Sequence, residues 1–314
     1  MENINSMKNK PSKKHHYLPR HYLRGFTDSE GGFFVYDKLT GKLFSTCPDA
    51  AFFENDLNAV ELPDGNKSVF LEDLYTEIEN KSWRSLDSIR DSTFNTTIKP
   101  LDKMNLFLFL LFLHWRLPSN IELIDKLSDE FFNGENDLDF FRLLSKTGNA
   151  VPKEIIERIT SSQAFRKAAK MIAPFAPFFK DKSWWSSLDD WRFIYSGDKE
   201  QWFIVGDNPI ITDGDSDHDP VNCLKKFIFP VSGKILLVSG TSHIDRMLTP
   251  EFTIQYSAGI IERAQRFVAC QNQSFLEAVI KFHQLHVQFA KTDIIVSELF
   301  EMLDDEMEKK NQHN

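Results

Sequence analysis

Paired imidazoles, spaced carboxylates and a guanidinium at a helix end are the groups in this sequence able to do chemistry together. His15 and His16 adjoin near the start, and Glu72 and Glu79 stand two helical turns apart. Arg116 precedes Leu117-Pro118, and Asp207-Asn208-Pro209 makes an irregular turn. Histidine and carboxylate side chains are the natural ligands of a divalent cation, so His16, Glu72, Glu79 and Asp207 form a candidate set for Mg²⁺, Mn²⁺ or Zn²⁺. Arg20, Arg24 and Asn208 would grip a substrate phosphate, and His15, His16, Asp207 and Arg116 would carry catalysis through a metal-activated water. That constellation describes a metal-dependent phosphodiesterase, a nuclease being the leading case, with nucleic acid or a nucleotide as partner. Without metal, one histidine would serve as general base beside an arginine that stabilises negative charge. The same residues also support a non-enzymatic reading. In it His15 and His16 hydrogen-bond Glu72 and Asp207 while Arg116 pairs with Glu79, a buried polar lock that pins the N-terminal arm across helix and sheet, and the chain is a binding or regulatory module.

These groups need elements to hold them. In Lys13-Lys14-His15-His16-Tyr17-Leu18-Pro19-Arg20-His21-Tyr22-Leu23-Arg24-Gly25-Phe26, Pro19 suits the first position of a short helix ending at Gly25, a residue suited to a left-handed cap. Phe33–Asp37 and Lys42–Ser45 flank Lys38-Leu39-Thr40-Gly41 as a β-hairpin, and a short strand is expected near 57–62. Ser68 can cap a helix to about Arg90 that buries Leu71, Leu74, Ile78 and Leu86. Leu101–Leu117 is apolar nearly all round and so is expected at the centre of the fold, where Arg116 needs an anionic partner. Helices follow at about 120–132, 137–147, 153–172 and 176–187. Strands 191–195, 202–205, 227–229, 234–238 and 252–256 then read as an antiparallel meander, and helices 259–271 and 274–289 close the domain. Asp213-Gly-Asp215-Ser-Asp217-His218-Asp219 has the alternating acids of a calcium loop. It lacks the required glycine and closing glutamate, and is read as solvated.

Composition bounds the answer. A chain of 314 residues with 41% hydrophobic side chains and 29 phenylalanines supports a substantial core. Three separated cysteines suit a reducing cytoplasm, and Leu106–Leu113, the most apolar run, is too short to span a membrane. Residues 1–27 carry six Lys or Arg against Glu2, a balance of +5 on a chain whose total is −9. A basic entrance on an acidic body can attract phosphate locally. The expected architecture is α+β, an antiparallel sheet with a mostly helical middle section packed on one side. Its parts would be a flexible basic leader at 1–12, one domain over 13–296, and an acidic C-terminal tail over 297–314. Oligomeric state is left open.

The opening motif and four later landmarks resemble a bacterial family known as domain of unknown function 4238. Its members begin His-His-x-x-Pro-x-x-x-Leu-x-x-Phe, here His15, His16, Pro19, Leu23 and Phe26. Next come Leu71-Glu72 with Ile78-Glu79, an apolar helix ending in Arg116 and Pro118, and the turn Asp207-Asn208-Pro209-Ile210. Last is a helix of form A-x-x-(F/Y)-V at Ala264–Val268. The resemblance sharpens the residue list and implies no reaction. A toxin or antiviral effector role would suit a small cytosolic nuclease.

Overall fold

The computed structural model describes residues 14–61, 67–68, 70–93, 95–120, 188–196, 203–213, 224–240, 249–289 and 294–311. The leader, the Pro63-Asp64-Gly65 turn, the helices expected between 120 and 187 and most of the acidic 213–219 loop lie outside the described residues.

The class is α+β with antiparallel sheets. Strand β1 (Lys14–His16) leads into helix α1 (Arg20–Leu23), and the hairpin β2 (Phe33–Asp37) and β3 (Lys42–Thr46) turns at Gly41, φ +69°. β4 (Phe53–Asn55) pairs back onto β1, and the two-residue strands β5 (Val60–Glu61) and β6 (Lys67–Ser68) pair with each other. Ser68 is therefore a strand residue and not the cap of the next helix. Helices α2 (Phe70–Arg90) and α3 (Pro100–Arg116) pack together. They are followed by β7 (Arg192–Tyr195), β8 (Val205–Gly206), β9 (Ile211–Thr212), β10 (Phe227–Ser232) and β11 (Ile235–Ser239). Helix α4 (Pro250–Arg263), strand β12 (Phe267–Cys270), and helices α5 (Gln273–Phe289) and α6 (Ile294–Asn311) complete the described order.

Two four-stranded sheets result, ordered β3-β2-β12-β8 and β7-β11-β10-β9. Every residue of β10 and β11 is buried, as expected of strands covered on both faces. Pro230 in β10 is tolerated because a register shift falls there, and its carbonyl accepts the Tyr22 hydroxyl at 2.8 Å.

The expected single meander loses two strands and the expected helix 259–271 its second half: Val205–Gly206 pairs with β12 in the other sheet. Residues 252–256 belong to α4, because Thr249 accepts the Phe252 N–H at 3.2 Å and Pro250 opens the first turn. Phe252, Tyr256 and Ile260 then recur every fourth residue on a buried face. Residues 267–270, expected as helix, are strand β12, hydrogen-bonded to β2 on one side and β8 on the other. Between them the chain turns at extended Ala264, φ −65° and ψ 131°. Lys38 Nζ donates to the carbonyls of Ile261 and Ala264 at 2.5 and 2.6 Å, placing a cation on the helix's negative end. After Glu301 the chain stays helical to Asn311, and Ile295, Leu299, Phe300 and Leu303 are buried.

The opening motif is core. Tyr17, Leu18, Tyr22, Leu23 and Phe26 are each no more than 4% exposed, worth roughly 10 kcal/mol of gross burial at about 2 kcal/mol per side chain. Tyr22 stacks on Phe229 of β10 at 5.2 Å. Pro19 sits one position before α1 as its N-cap, and Gly25 does not adopt the left-handed cap. Instead, Gly25 leaves room for Arg90: a Cβ there would lie 2.7 Å from the Arg90 guanidinium. Arg90, at the end of α2, donates to the carbonyls of His21 (3.1 Å), Tyr22 (2.8 Å) and Val231 (3.3 Å), tying arm to sheet. Among the described residues no helix is long and apolar enough to cross a membrane.

Candidate functional site

Strand alternation places the two histidines differently. His15 opposes Glu54 and His16 opposes Phe53 across the β1–β4 ribbon, so one ring points inward and the next outward. His15 is 1% exposed, and its Nδ1 accepts the Asn58 backbone N–H at 2.9 Å. The Asn58 side chain in turn donates to Glu72 Oε2 at 2.9 Å, and that oxygen lies 3.9 Å from His15 Nδ1. The half-buried ring of His16 packs on Phe53 at 5.5 Å. Burial, then the charges of Arg20 and Arg116, hold its pKa below the usual imidazole range.

Arg116 comes to this arm from the end of α3. Its Nη1 donates to Glu79 Oε1 and its Nη2 to the His16 carbonyl, while Cζ lies 4.8 Å from the centre of the Tyr75 ring. The anionic partner expected for a buried guanidinium is thus Glu79, and the apolar helix supplies the burial that demands it. Glu79 is 24% exposed, and its second oxygen lies 3.9 Å from His21 Nδ1. Burial, then Arg90, Arg116 and Arg24, press the His21 pKa down to about 3, so the ring is neutral at pH 7.

Glu72, Tyr75 and Glu79 share one face of α2, since residues three or four apart stack above one another. A small, partly open cleft beside them is lined by Pro19, Tyr75, Glu79, Phe109 and Arg116, among others. Tyr75, His21 and Asn58 were not among the sequence candidates. Tyr75 could have been found by its spacing, three after Glu72 and four before Glu79. His21 lies in the motif itself. Asn58 gave no signal.

Other candidates lie apart from this cluster. Both Asp207 oxygens are spent on backbone donors, Gln265 N–H and Arg266 N–H at 2.7 Å and Phe267 N–H at 2.9 Å. Burial raises the Asp207 pKa, and these three bonds pull it back in part. The Asp-Asn-Pro turn and the Ala264–Val268 segment, read from sequence as separate landmarks, are therefore one unit: a carboxylate holding the start of β12. Asn208 is half-buried beside it. Arg20 on α1 and Arg24 just after it are exposed, and Arg20 pairs with Asp49 at 2.9 Å.

The proposed metal set of His16, Glu72, Glu79 and Asp207 does not fit a cation site as placed. Among the described residues no three His, Cys, Asp or Glu side chains gather as a metal-holding group. Asp207 is engaged by backbone donors, Glu72 by Asn58 and Glu79 by Arg116.

The geometry sorts the candidates into two layers. Inside, His15, Asn58, Glu72 and the two terminal nitrogens of Arg116 bind arm to helices. Outside, Glu79 and Tyr75 line the cleft, His21 Nδ1 stands 3.9 Å from Glu79 Oε2, and the half-buried His16 ring packs on Phe53. A family model described as protein of unknown function (DUF4238) matches residues 14–274. No curated protein matches, and no solved structure does. With the match covering most of its length, from β1 to the start of α5, the chain belongs to the DUF4238 family.

Proposed function

We propose that the chain hydrolyses a phosphodiester or nucleotide phosphate bond at the outer layer of this cluster, with Glu79 as the base. The observation that carries the reading is the placement of Glu79. It is a partly exposed carboxylate lining the cleft, with one oxygen on Arg116 and the other 3.9 Å from a neutral imidazole. That second oxygen is positioned to take a proton from water. The water oxygen forms the new bond to phosphorus as the ester P–O bond breaks, and the leaving oxygen takes a proton from solvent. Arg116 lies where negative charge would build, and the exposed Arg20 and Arg24 supply attraction for phosphate at the surface. No step is drawn through a metal, because the described donors do not converge on one.

The non-enzymatic lock is favoured by a specific observation: Arg116 and His15 spend hydrogen bonds inside the fold. The two readings differ in turnover. Purified chain is incubated with single- and double-stranded DNA, RNA and nucleoside di- and triphosphates, with and without Mg²⁺, Mn²⁺ and Zn²⁺. Cleavage by the wild type that falls about 100-fold or more in Glu79→Gln, with circular dichroism unchanged, is expected. No cleavage of any substrate, or a fully active Glu79→Gln, would leave the binding or regulatory module.

A further inference from the structure

We infer that the Tyr75 hydroxyl and the Arg116 Nε–H form a two-donor seat for one negatively charged oxygen, a phosphoryl oxygen of the substrate. The inference rests on the phosphate reading above and adds which atoms would hold the ligand.

Both groups are buried, Tyr75 at 2% and Arg116 at 3% exposure, and among the described residues neither Tyr75 Oη nor Arg116 Nε has a hydrogen-bond partner. Arg116 has directed its two terminal nitrogens at Glu79 and the His16 carbonyl, so Nε is its one guanidinium nitrogen with no hydrogen bond among the described residues. Burial raises the Tyr75 pKa, so the phenol keeps its proton and remains a donor at any working pH. Buried donors left unmet are costly, and Tyr75 and Arg116 line one cleft, where a single acceptor would meet both.

The shape agrees with a single oxygen. The cavity is about 10 Å³, room for the centre of one water-sized group, and its remaining walls are Pro19, Ile78, Phe109, Phe112 and Leu113 beside the Glu79 carboxylate. Apolar walls strengthen a charge-assisted hydrogen bond inside them. The guanidinium stands over the Tyr75 ring, and Phe112 meets that ring edge-on at 6.4 Å, so both donors are fixed before any ligand arrives. Charge selects the acceptor. Arg116 and Glu79 already cancel, and an oxygen carrying negative charge gains more from the two donors than a neutral one does.

Thermal melting of the full chain and of Tyr75→Phe in inorganic phosphate, at matched ionic strength in KCl, tests this. Without phosphate, Tyr75→Phe should melt at or above the wild type, since it removes a hydroxyl with no hydrogen-bond partner among the described residues. With phosphate the wild type should rise in melting temperature, and the variant should need about tenfold more phosphate for the same rise. Three results would overturn the seat: no phosphate response in the wild type, the same response in both, or a variant melting well below the wild type without phosphate. Phosphate binding lost in Tyr75→Phe, in a protein that turns over no substrate, would support the seat while removing the hydrolytic reading.

Discussion

Replacing Arg116 by methionine keeps the length of the side chain and removes everything polar it does. Three interactions go: the bond to Glu79, the bond to the His16 carbonyl, and the stacking of the cation on Tyr75. Breaking a buried pair by removing one partner costs about 3–5 kcal/mol, because the other charge is left uncompensated. Glu79 is 24% exposed, so water can re-solvate its carboxylate and the lower end applies. An unpaired carbonyl adds about 1 kcal/mol and the lost cation–π contact about 1 kcal/mol, partly offset by the apolar contact of the methionine. A loss of about 4 kcal/mol is expected, a large fraction of the 5–15 kcal/mol that holds a domain together. Urea unfolding at pH 7 should show a lowered midpoint with the slope unchanged. In the double variant Arg116→Met, Glu79→Gln no bare carboxylate remains, so the two effects should fall short of additive by about 1 kcal/mol or more. A loss under about 1 kcal/mol for the single variant, or strict additivity in the double, would refute the pairing as the clamp on the arm.

Gly25→Ala should destabilise by about 1–3 kcal/mol in the same unfolding assay, because its Cβ would meet Arg90 at 2.7–2.9 Å and displace bonds to three carbonyls. Its effect should be small in an Arg90→Ala background. Asp207→Asn should cost at least about 2 kcal/mol, since an amide cannot accept from the three N–H groups that both carboxylate oxygens now serve, and turnover per folded molecule should be unchanged. His21 gives a pH signature. With its folded pKa near 3, against 6.5 unfolded, its contribution is full above pH 6.5 and lost as pH falls towards 3. About 1–2 kcal/mol should be gone by pH 5, and His21→Gln should flatten that slope in melts between pH 7 and 5.

Local pattern made much of this legible. The hairpin at Gly41, the α2 face carrying Glu72 and Glu79, and the central apolar helix ending at Arg116 follow from spacing and burial. Arg116 needing an acid was also readable, and the lock reading names Glu79 as that acid, the pair the structure holds; choosing Glu79 over a substrate phosphate needed the tertiary contact across 37 residues. Residues 252–270 were misread for a stated reason. Phe252 to Tyr256 looks like a strand by alternation, while Thr249-Pro250, a helix-start signal, stands just ahead of it. The roles of Asp207 and Arg90 were hidden because each acts on backbone atoms, which carry no sequence signature, and Gly25 was hidden because the guanidinium it makes room for comes from 65 residues away. Sequence reading put Asp207 with the histidines, whereas its oxygens are filled by the turn before β12.

The two-layer assignment of the cluster is tested most directly by measuring turnover per folded molecule for Asn58→Ala beside Glu79→Gln. Asn58→Ala loosens the inner chain by removing the Glu72 bond while keeping the backbone N–H that His15 accepts. It should lower stability by about 1 kcal/mol and leave kcat/KM near the wild-type value. Glu79→Gln should abolish turnover in protein that is still folded. Equal loss of turnover in both variants, or undiminished turnover in Glu79→Gln, would contradict the separation of a structural inner layer from a reactive outer one.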